Sequence, residues 1–253
     1  MSLEGKVAFV TGTSRPRGNG RAIALALAKQ GADVAVSGKS NFDGALALAD
    51  EIKKLGRRSI AVRMDVSEYS DVKKGLAQVK QELGAPDILV NNAALMGHNV
   101  TIMKTSAEEW DNEIKVCLNS AFYCIKEVWA DMCAKKWGRI VNISSVAGTM
   151  GGYGQSSYGA AKAGLISLAK SAALEGVRFN ITANVVLVGL SETDAFLDLP
   201  EQVRERAAKK TVWGKAAQPQ DIGHAVVYLV SDEAQYMTGA SINMLGGLDL
   251  FVF

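Results

Sequence analysis

Apolar runs with strand character alternate with helix-like stretches along the whole chain. The runs fall at 6–12, 33–38, 59–66, 87–93, 138–144, 180–186 and 240–245, and the helical patterns at 19–30, 42–55, 68–83, 107–136, 156–175 and 219–230. Strands that are apolar throughout are buried on both faces, and strands separated by helices pair in parallel. The pattern therefore predicts an α/β fold, a doubly wound parallel sheet of seven strands with helices on both faces. The four prolines (Pro16, Pro86, Pro200, Pro219) all fall in loops or at element starts, where a missing N–H does no harm. No linker, repeat or low-complexity segment divides the chain, so residues 1–253 are expected to form one domain. The least regular stretch, 189–218, is polar and follows the sixth strand. Ligands of such sheets bind beyond the carboxyl ends of the strands, so this stretch is a candidate substrate lid.

Composition narrows the function classes. Hydrophobic residues make up 48 % of 253, enough for a large core, and a net charge of +2 is too even for nucleic-acid binding by bulk charge. No apolar stretch approaches membrane-spanning length, and the N-terminal run lacks the basic start of a signal peptide. The three cysteines (Cys117, Cys124, Cys133) share one predicted helix and form no Cys-x-x-Cys pair. A reduced cytoplasmic protein is expected, with no disulfide framework and no metal site. His98 and His224 stand apart from any ligand-spaced partner.

The segment TGTSRPRGNG (11–20) follows the first strand and opens the first helix. Glycines let backbone N–H groups approach a pyrophosphate, and a helix N-terminus adds partial positive charge. Gly12, Gly18 and Gly20 are therefore candidate cofactor contacts, although their spacing is wider than the usual Gly-x-Gly-x-x-Gly. The second strand ends in Gly38, Lys39 and Ser40, with no acid before Asp43. An acid here holds the ribose of NAD, and a basic residue accepts the 2′-phosphate of NADP. Lys39 and Ser40, with Arg15 and Arg17 of the glycine loop, favour NADP(H), while NAD(H) stays open. Asp65, with Val66 beside it, ends the third strand, where a carboxylate accepts from an adenine amino group.

Catalytic chemistry is carried by SSVAGTMGGYGQSSYGAAKAG (144–164). Tyr158 and Lys162 lie four apart, on one face of a helix. A free tyrosine titrates near 10, and an adjacent ammonium favours the phenolate. Such a tyrosine donates a proton to a carbonyl oxygen or accepts one from an alcohol. Ser145 follows the predicted fifth strand and is positioned to hold the same oxygen.

The glycine loop, Asp65, NNAA after the fourth strand, Ser145, Tyr158 and Lys162 occur in the order found in the short-chain dehydrogenase/reductase family, which the chain resembles over its whole length. The likeness is strongest to its 3-oxoacyl-[acyl-carrier-protein] reductase members, in GTMGGYGQSSYGAAKAG and SDEAQYMTGASINMLGG. The resemblance implies a Rossmann-type fold, a nicotinamide cofactor and a Ser145–Tyr158–Lys162 catalytic site. It implies cofactor contacts at Gly12, Gly18, Gly20, Asp65, Asn91, Ala93, Gly189 and Thr193, with Tyr158 and Lys162 touching the nicotinamide ribose. The implied reaction is reversible reduction of a ketone to a secondary alcohol, with a 3-oxoacyl thioester as one substrate class. Alternatives are an NAD-linked dehydrogenase of a cyclic or secondary alcohol, and a non-catalytic nucleotide-binding sensor. Family members pair the helices of 107–136 and 156–175, so a homotetramer is expected, and the apolar tail LDLFVF (248–253) fits that expectation.

The chain departs from the family pattern at four places. Pro16-Arg17 widens the glycine loop, Cys117 stands for the family's active-site asparagine, Ala94 for a glycine and Val188 for a proline. The wider loop resembles the enoyl-thioester reductases, whose tyrosine and lysine are separated by six residues. Position 165 is leucine and position 160 alanine, so enoyl reduction is rejected. Ser120 lies on a similar helical face to Cys117 and is a candidate to substitute in part for the asparagine. The divergent segments 94–100 and 189–213 are expected to carry the substrate pocket, through Met96, Phe196 and Trp213, with Ser145 also facing it and packing the expected role of Trp213. The charged run VRERAAKK (203–210) reads as a solvated helix face.

Overall fold

A computed structural model describes residues 1–95 and 99–250. Met96 and His98, and the last three residues of the apolar tail, lie outside the described residues. Seven strands form one parallel sheet: β1 (Val7–Val10), β2 (Asp33–Gly38), β3 (Ser59–Arg63), β4 (Ile88–Asn91), β5 (Gly138–Ser145), β6 (Ile181–Val188) and β7 (Ser241–Met244). Their order is β3-β2-β1-β4-β5-β6-β7, so the chain winds outward from β1 in both directions. Of the five inner strands, β1, β2, β4 and β6 are buried along their whole length, and β5 is buried through Ser144. Edge strands β3 and β7 are only partly covered, which is why their sequences are the more polar.

The helices are α1 (Asn19–Lys29), α2 (Phe42–Lys54), α3 (Tyr69–Glu82), α4 (Ala107–Ile114), α5 (Ser120–Lys135), α6 (Ala147–Met150), α7 (Ser156–Gly176), α8 (Asp194–Leu197), α9 (Glu201–Ala208) and α10 (Pro219–Val230). Alternate strand residues point to opposite faces. Ala8, Val10, Val34, Val36, Val90 and Ile143 meet Ile23 and Leu27 of α1, Leu48 and Ile52 of α2 and Ile222 and Val226 of α10. On the other face Phe9, Ala35, Leu89 and Ile140 meet Val72 and Leu76 of α3, Val128 and Met132 of α5 and Ala172 of α7. These two cores are the doubly wound arrangement that the apolar strands predicted.

Two expectations need correction. The stretch 107–136 is not one helix. A π-helical turn over Lys115–Asn119 separates α4 from α5, and the apolar spacing carries across it without a break. Residues 189–218 are not irregular throughout, since they hold α8 and α9. This segment is tied to the start of the chain: the Arg17 N–H donates to Asp194 Oδ2 (3.0 Å), and Ser191 Oγ donates to Asn19 Oδ1 (2.8 Å).

Candidate active site

β5 grips α7 with three successive residues. The Asn142 amide donates to the Leu165 carbonyl (3.1 Å), the Ile143 carbonyl accepts from Lys162 Nζ (2.8 Å), and Ser144 Oγ donates to the Lys162 carbonyl (2.7 Å). Lys162 is 2 % exposed, so its ammonium has left water for one fixed direction. Gly148 lets α6 close on this turn, because a Cβ there would sit 2.8 Å from the Lys162 carbonyl carbon. One helical turn back from Lys162, Tyr158 is half-buried, with Lys162 Nζ 5.5 Å from its ring centre. Ser145 is the last residue of β5 rather than the residue after it, and its hydroxyl accepts from the Ala147 N–H (3.2 Å). The structure thus brings Ser145, Tyr158 and Lys162 to one end of β5.

Cys117 sits in the π-helical turn and is 1 % exposed. Its sulfur accepts from the Leu95 N–H (3.4 Å) and its thiol donates to the Leu95 carbonyl (3.6 Å). Burial pushes this thiol up, offset in part by the Lys162 charge and the Leu95 bond, and raised further by the Glu113 carboxylate. The hydroxyl of Ser120, the candidate to substitute in part for the asparagine, donates to the Val116 carbonyl of the π-helical turn (2.6 Å).

The glycine loop crosses the carboxyl ends of β1, β2 and β4. Gly12 has φ +70°, and a Cβ there would lie 2.7 Å from Ala93 Cα. A Cβ on Gly20 would lie 2.4 Å from Asn92 Nδ2 and 2.6 Å from the Gly12 carbonyl. Asn92, which sequence reading passed over, ties loop to strand by donating to the Thr11 and Gly12 carbonyls (both 2.9 Å). The Asn91 side chain donates to Asn142 Oδ1 on β5 (2.9 Å). α1 is preceded by Gly18, which supplies no side-chain cap, and has no acid in its first turn, unlike α4, where Ser106 and Glu109 form a capping box. Its first-turn N–H groups therefore stay available to an anion. These features fit a dinucleotide pyrophosphate.

Basic groups gather where β2 ends. Ser14 of the loop packs against Gly38 and Gly44, its carbonyl accepting from Asn41 Nδ2 (3.1 Å), which brings Arg15 beside this end. Lys39 is paired with Asp65 (2.5 Å) rather than free. Burial alone would raise the Asp65 carboxyl, but the bonds from Lys39 and Ser67 outweigh it and hold Asp65 below the usual carboxylate range. Arg63, the last residue of β3, lies over the Phe42 ring (4.5 Å) and donates to the Lys39 carbonyl (3.4 Å). Its position in SIAVRMDV, just before Asp65, was the available signal for it. Ser40 is exposed and Val66 buried.

Gly189 follows β6 and its N–H donates to the Met244 carbonyl (3.1 Å). Val188 extends β6 opposite Ser145, and its carbonyl accepts from the Val146 N–H, so strand pairing fixes the chain where the family has proline. Thr193 and Phe196 are half-buried at the start of α8. Trp213 does not pack as expected: it is 74 % exposed, with the Lys215 ammonium 5.4 Å from its ring centre. A groove of about 680 Å³ runs between residues 101–103, α6 and the start of α7, lined by Ile102, Met103, Tyr153 and Ala160. Ser145, Tyr158 and Lys162 do not line it, although their chain neighbours Ala147, Gly159 and Ala163 do.

A family model described as Enoyl-(Acyl carrier protein) reductase matches residues 12–249. The chain is 41 % identical over 248 residues to the 3-oxoacyl-[acyl-carrier-protein] reductase FabG of Escherichia coli (strain K12), covering 98 % of this chain and 99 % of that one. It is 40 % identical to the protein of the same name from Pseudomonas aeruginosa, with the same coverage. Among solved structures, a provisionally assigned short-chain alcohol dehydrogenase from Sinorhizobium meliloti 1021 superimposes with TM-score 0.92 at 32 % identity, covering 99 % of both chains. A provisionally assigned gluconate dehydrogenase from Agrobacterium tumefaciens gives TM-score 0.92 at 29 % identity, covering 99 % of this chain and 98 % of that one.

Proposed function

The chain belongs to the short-chain dehydrogenase/reductase family of NAD(P)-dependent oxidoreductases, and from that premise we propose that it reduces a ketone to a secondary alcohol with NADPH. The observation that carries this reading is the grip of β5 on α7, which fixes Lys162 beside Tyr158 at the strand end that also carries Ser145. Tyr158 gives its hydroxyl proton to the carbonyl oxygen, and Ser145 holds that oxygen as charge develops on it. Lys162 orients the tyrosine and stabilises the phenolate left behind. The nicotinamide, when bound, supplies the hydride that completes the alcohol. Gly12, Gly18, Gly20 and the first turn of α1 would hold the pyrophosphate, Asp65 and Val66 the adenine, Ala93 and the Asn91 main chain the nicotinamide ribose, and Gly189 and Thr193 the carboxamide end.

Although the matching family model is named for enoyl reduction, the spacing of Tyr158 and Lys162 supports carbonyl reduction. Leu165 and Ala160 occupy the positions where the other spacing requires lysine. The relatives named for 3-oxoacyl-[acyl-carrier-protein] reduction support a 3-oxoacyl thioester as the substrate class. The test is turnover of NADPH and NADH against ketones and 3-oxoacyl thioesters. Nucleotide binding without turnover of any of them would favour a sensor instead.

The cations at the end of β2, with no acid before Asp43, support NADP(H). Because Lys39 is shared with Asp65, Arg15 is assigned the 2′-phosphate. Arg15→Ala is expected to weaken NADPH about tenfold or more and leave NADH unchanged, since hydrogen bonds to charged groups contribute about 1.5–3 kcal/mol. Fluorescence titration of both nucleotides checks this. NADH bound more tightly than NADPH by the unaltered protein would overturn the assignment.

Cys117→Asn is expected to raise kcat a few-fold, because an amide is a stronger hydrogen-bonding group than a thiol. The larger side chain in a filled site costs about 1–3 kcal/mol of stability. An unchanged kcat in single-turnover assays would mean that the thiol only packs. The exposed apolar residues Phe122 of α5, Leu174 of α7 and the neighbouring Val177 support a homotetramer. A cytoplasmic location is in keeping with three free cysteines and with the absence, among the described residues, of a helix long and apolar enough to cross a membrane.

A further inference from the structure

Glu113 is a buried charged side chain that the reaction above leaves unused. It is the one buried residue of α4, 6 % exposed, within a run whose other acids face solvent. One carboxylate oxygen accepts from Ser157 Oγ in a short hydrogen bond, and the other is buried with no hydrogen-bond partner among the described residues. Taking a carboxylate out of water for a single hydroxyl donor is costly, so its placement calls for a role. Ser157 is buried in the first turn of α7 and directly precedes Tyr158. That turn lacks the usual N-terminal devices, for Gln155 makes no side-chain cap and the first turn holds no acid. Glu113 thus brings negative charge to the positive end of α7 from a separate helix.

We propose that Glu113 is a positioning residue, which fixes the first turn of α7 through Ser157 and so sets where the Tyr158 hydroxyl points. This rests on the catalytic role given to Tyr158 above. Lys162 is anchored from β5, one turn further along, but nothing on β5 bonds residues 156–158. The two anchors divide the work: β5 holds the lysine, and α4 holds the tyrosine end. A misplacement of about 1 Å at a reacting group costs on the order of a hundredfold in rate.

The test is a double-mutant cycle on kcat, together with NADPH affinity and amide hydrogen exchange along α7. Glu113→Ala is expected to lower kcat about ten- to a hundredfold, with NADPH affinity unchanged and faster exchange confined to the first turn of α7. Ser157→Ala is expected to do the same, and to add little in the Glu113→Ala background. Glu113→Gln keeps an acceptor for Ser157 and is expected to restore most of kcat. Wild-type kcat in both alanine variants would overturn the proposal. So would additive losses, or a parallel fall in NADPH affinity, which marks general disruption. Should Glu113→Ala not fold, Ser157→Ala and Glu113→Gln still decide the question. If the unaltered protein turns over no carbonyl, the function proposed above fails, while exchange in the first turn of α7 still reports whether Glu113 anchors it.

Discussion

Tyr158→Phe is expected to abolish carbonyl reduction, with kcat falling on the order of a thousandfold, while NADPH binds as before. The magnitude is that of a lost general acid. Phenylalanine keeps the ring and its place one turn from Lys162, so the grip of β5 on α7 is untouched. The Tyr158 hydroxyl makes no hydrogen bond among the described residues, so its removal leaves no buried partner unpaired and should hardly change the melting temperature. Pre-steady-state kinetics and nucleotide titration together check both halves. A Tyr158→Phe enzyme with near-normal kcat would sink the assignment of the proton donor.

Gly44→Ala is expected to disturb nucleotide binding from a helix that touches no catalytic residue. On propensity alone, alanine would stabilise α2 by about 1 kcal/mol. A Cβ at Gly44, however, would lie 2.0 Å from the Ser14 carbonyl oxygen and 3.3 Å from Asn41 Nδ2. The Ser14 main chain must move by more than about 1 Å, and overpacking of this kind costs about 1–3 kcal/mol. The clash therefore outweighs the propensity, and the expected result is a lower melting temperature with NADPH affinity down about tenfold. Displacing Ser14 also carries Arg15 away from the end of β2. A more stable protein with unchanged affinity would mean that the loop does not rest on α2.

How much of this was legible in the sequence depends on the range of each interaction. The strands were legible because burial on both faces leaves an unbroken apolar run, and β2 was found residue for residue. α10 was equally plain, with Pro219 at its start. The π-helical turn was not, because one wider turn leaves the helical spacing of apolar residues nearly intact. Tyr158 and Lys162 stand four apart on one helix, so local spacing was sufficient to pair them. The Lys39–Asp65 ion pair joins the segments that follow two neighbouring strands and is visible only from sheet order. Gly44 is visible as a glycine within a helical pattern, but the sequence does not say that Ser14 rests on it. Glu113 was the least visible, since AEEWDNEI reads as a solvated acidic helix until α7 is packed against it. Trp213 erred the other way: a large aromatic side chain was expected to pack, and it faces solvent.

The two hydrogen bonds that join the glycine loop and the first residues of α1 to the segment leading into α8 have a thermodynamic consequence. Arg17 and Asn19 lie on the side of the proposed nucleotide site, Ser191 and Asp194 on the side of the expected lid. A ligand that orders either partner lowers the entropy left for the other to lose. Occupancy of one proposed site would then tighten the other, and reciprocity requires the factor to be the same in both directions. On the proposed placement of the two sites, the widened loop and the segment after β6 would act as a single cooperative unit, with one coupling free energy shared by cofactor and substrate.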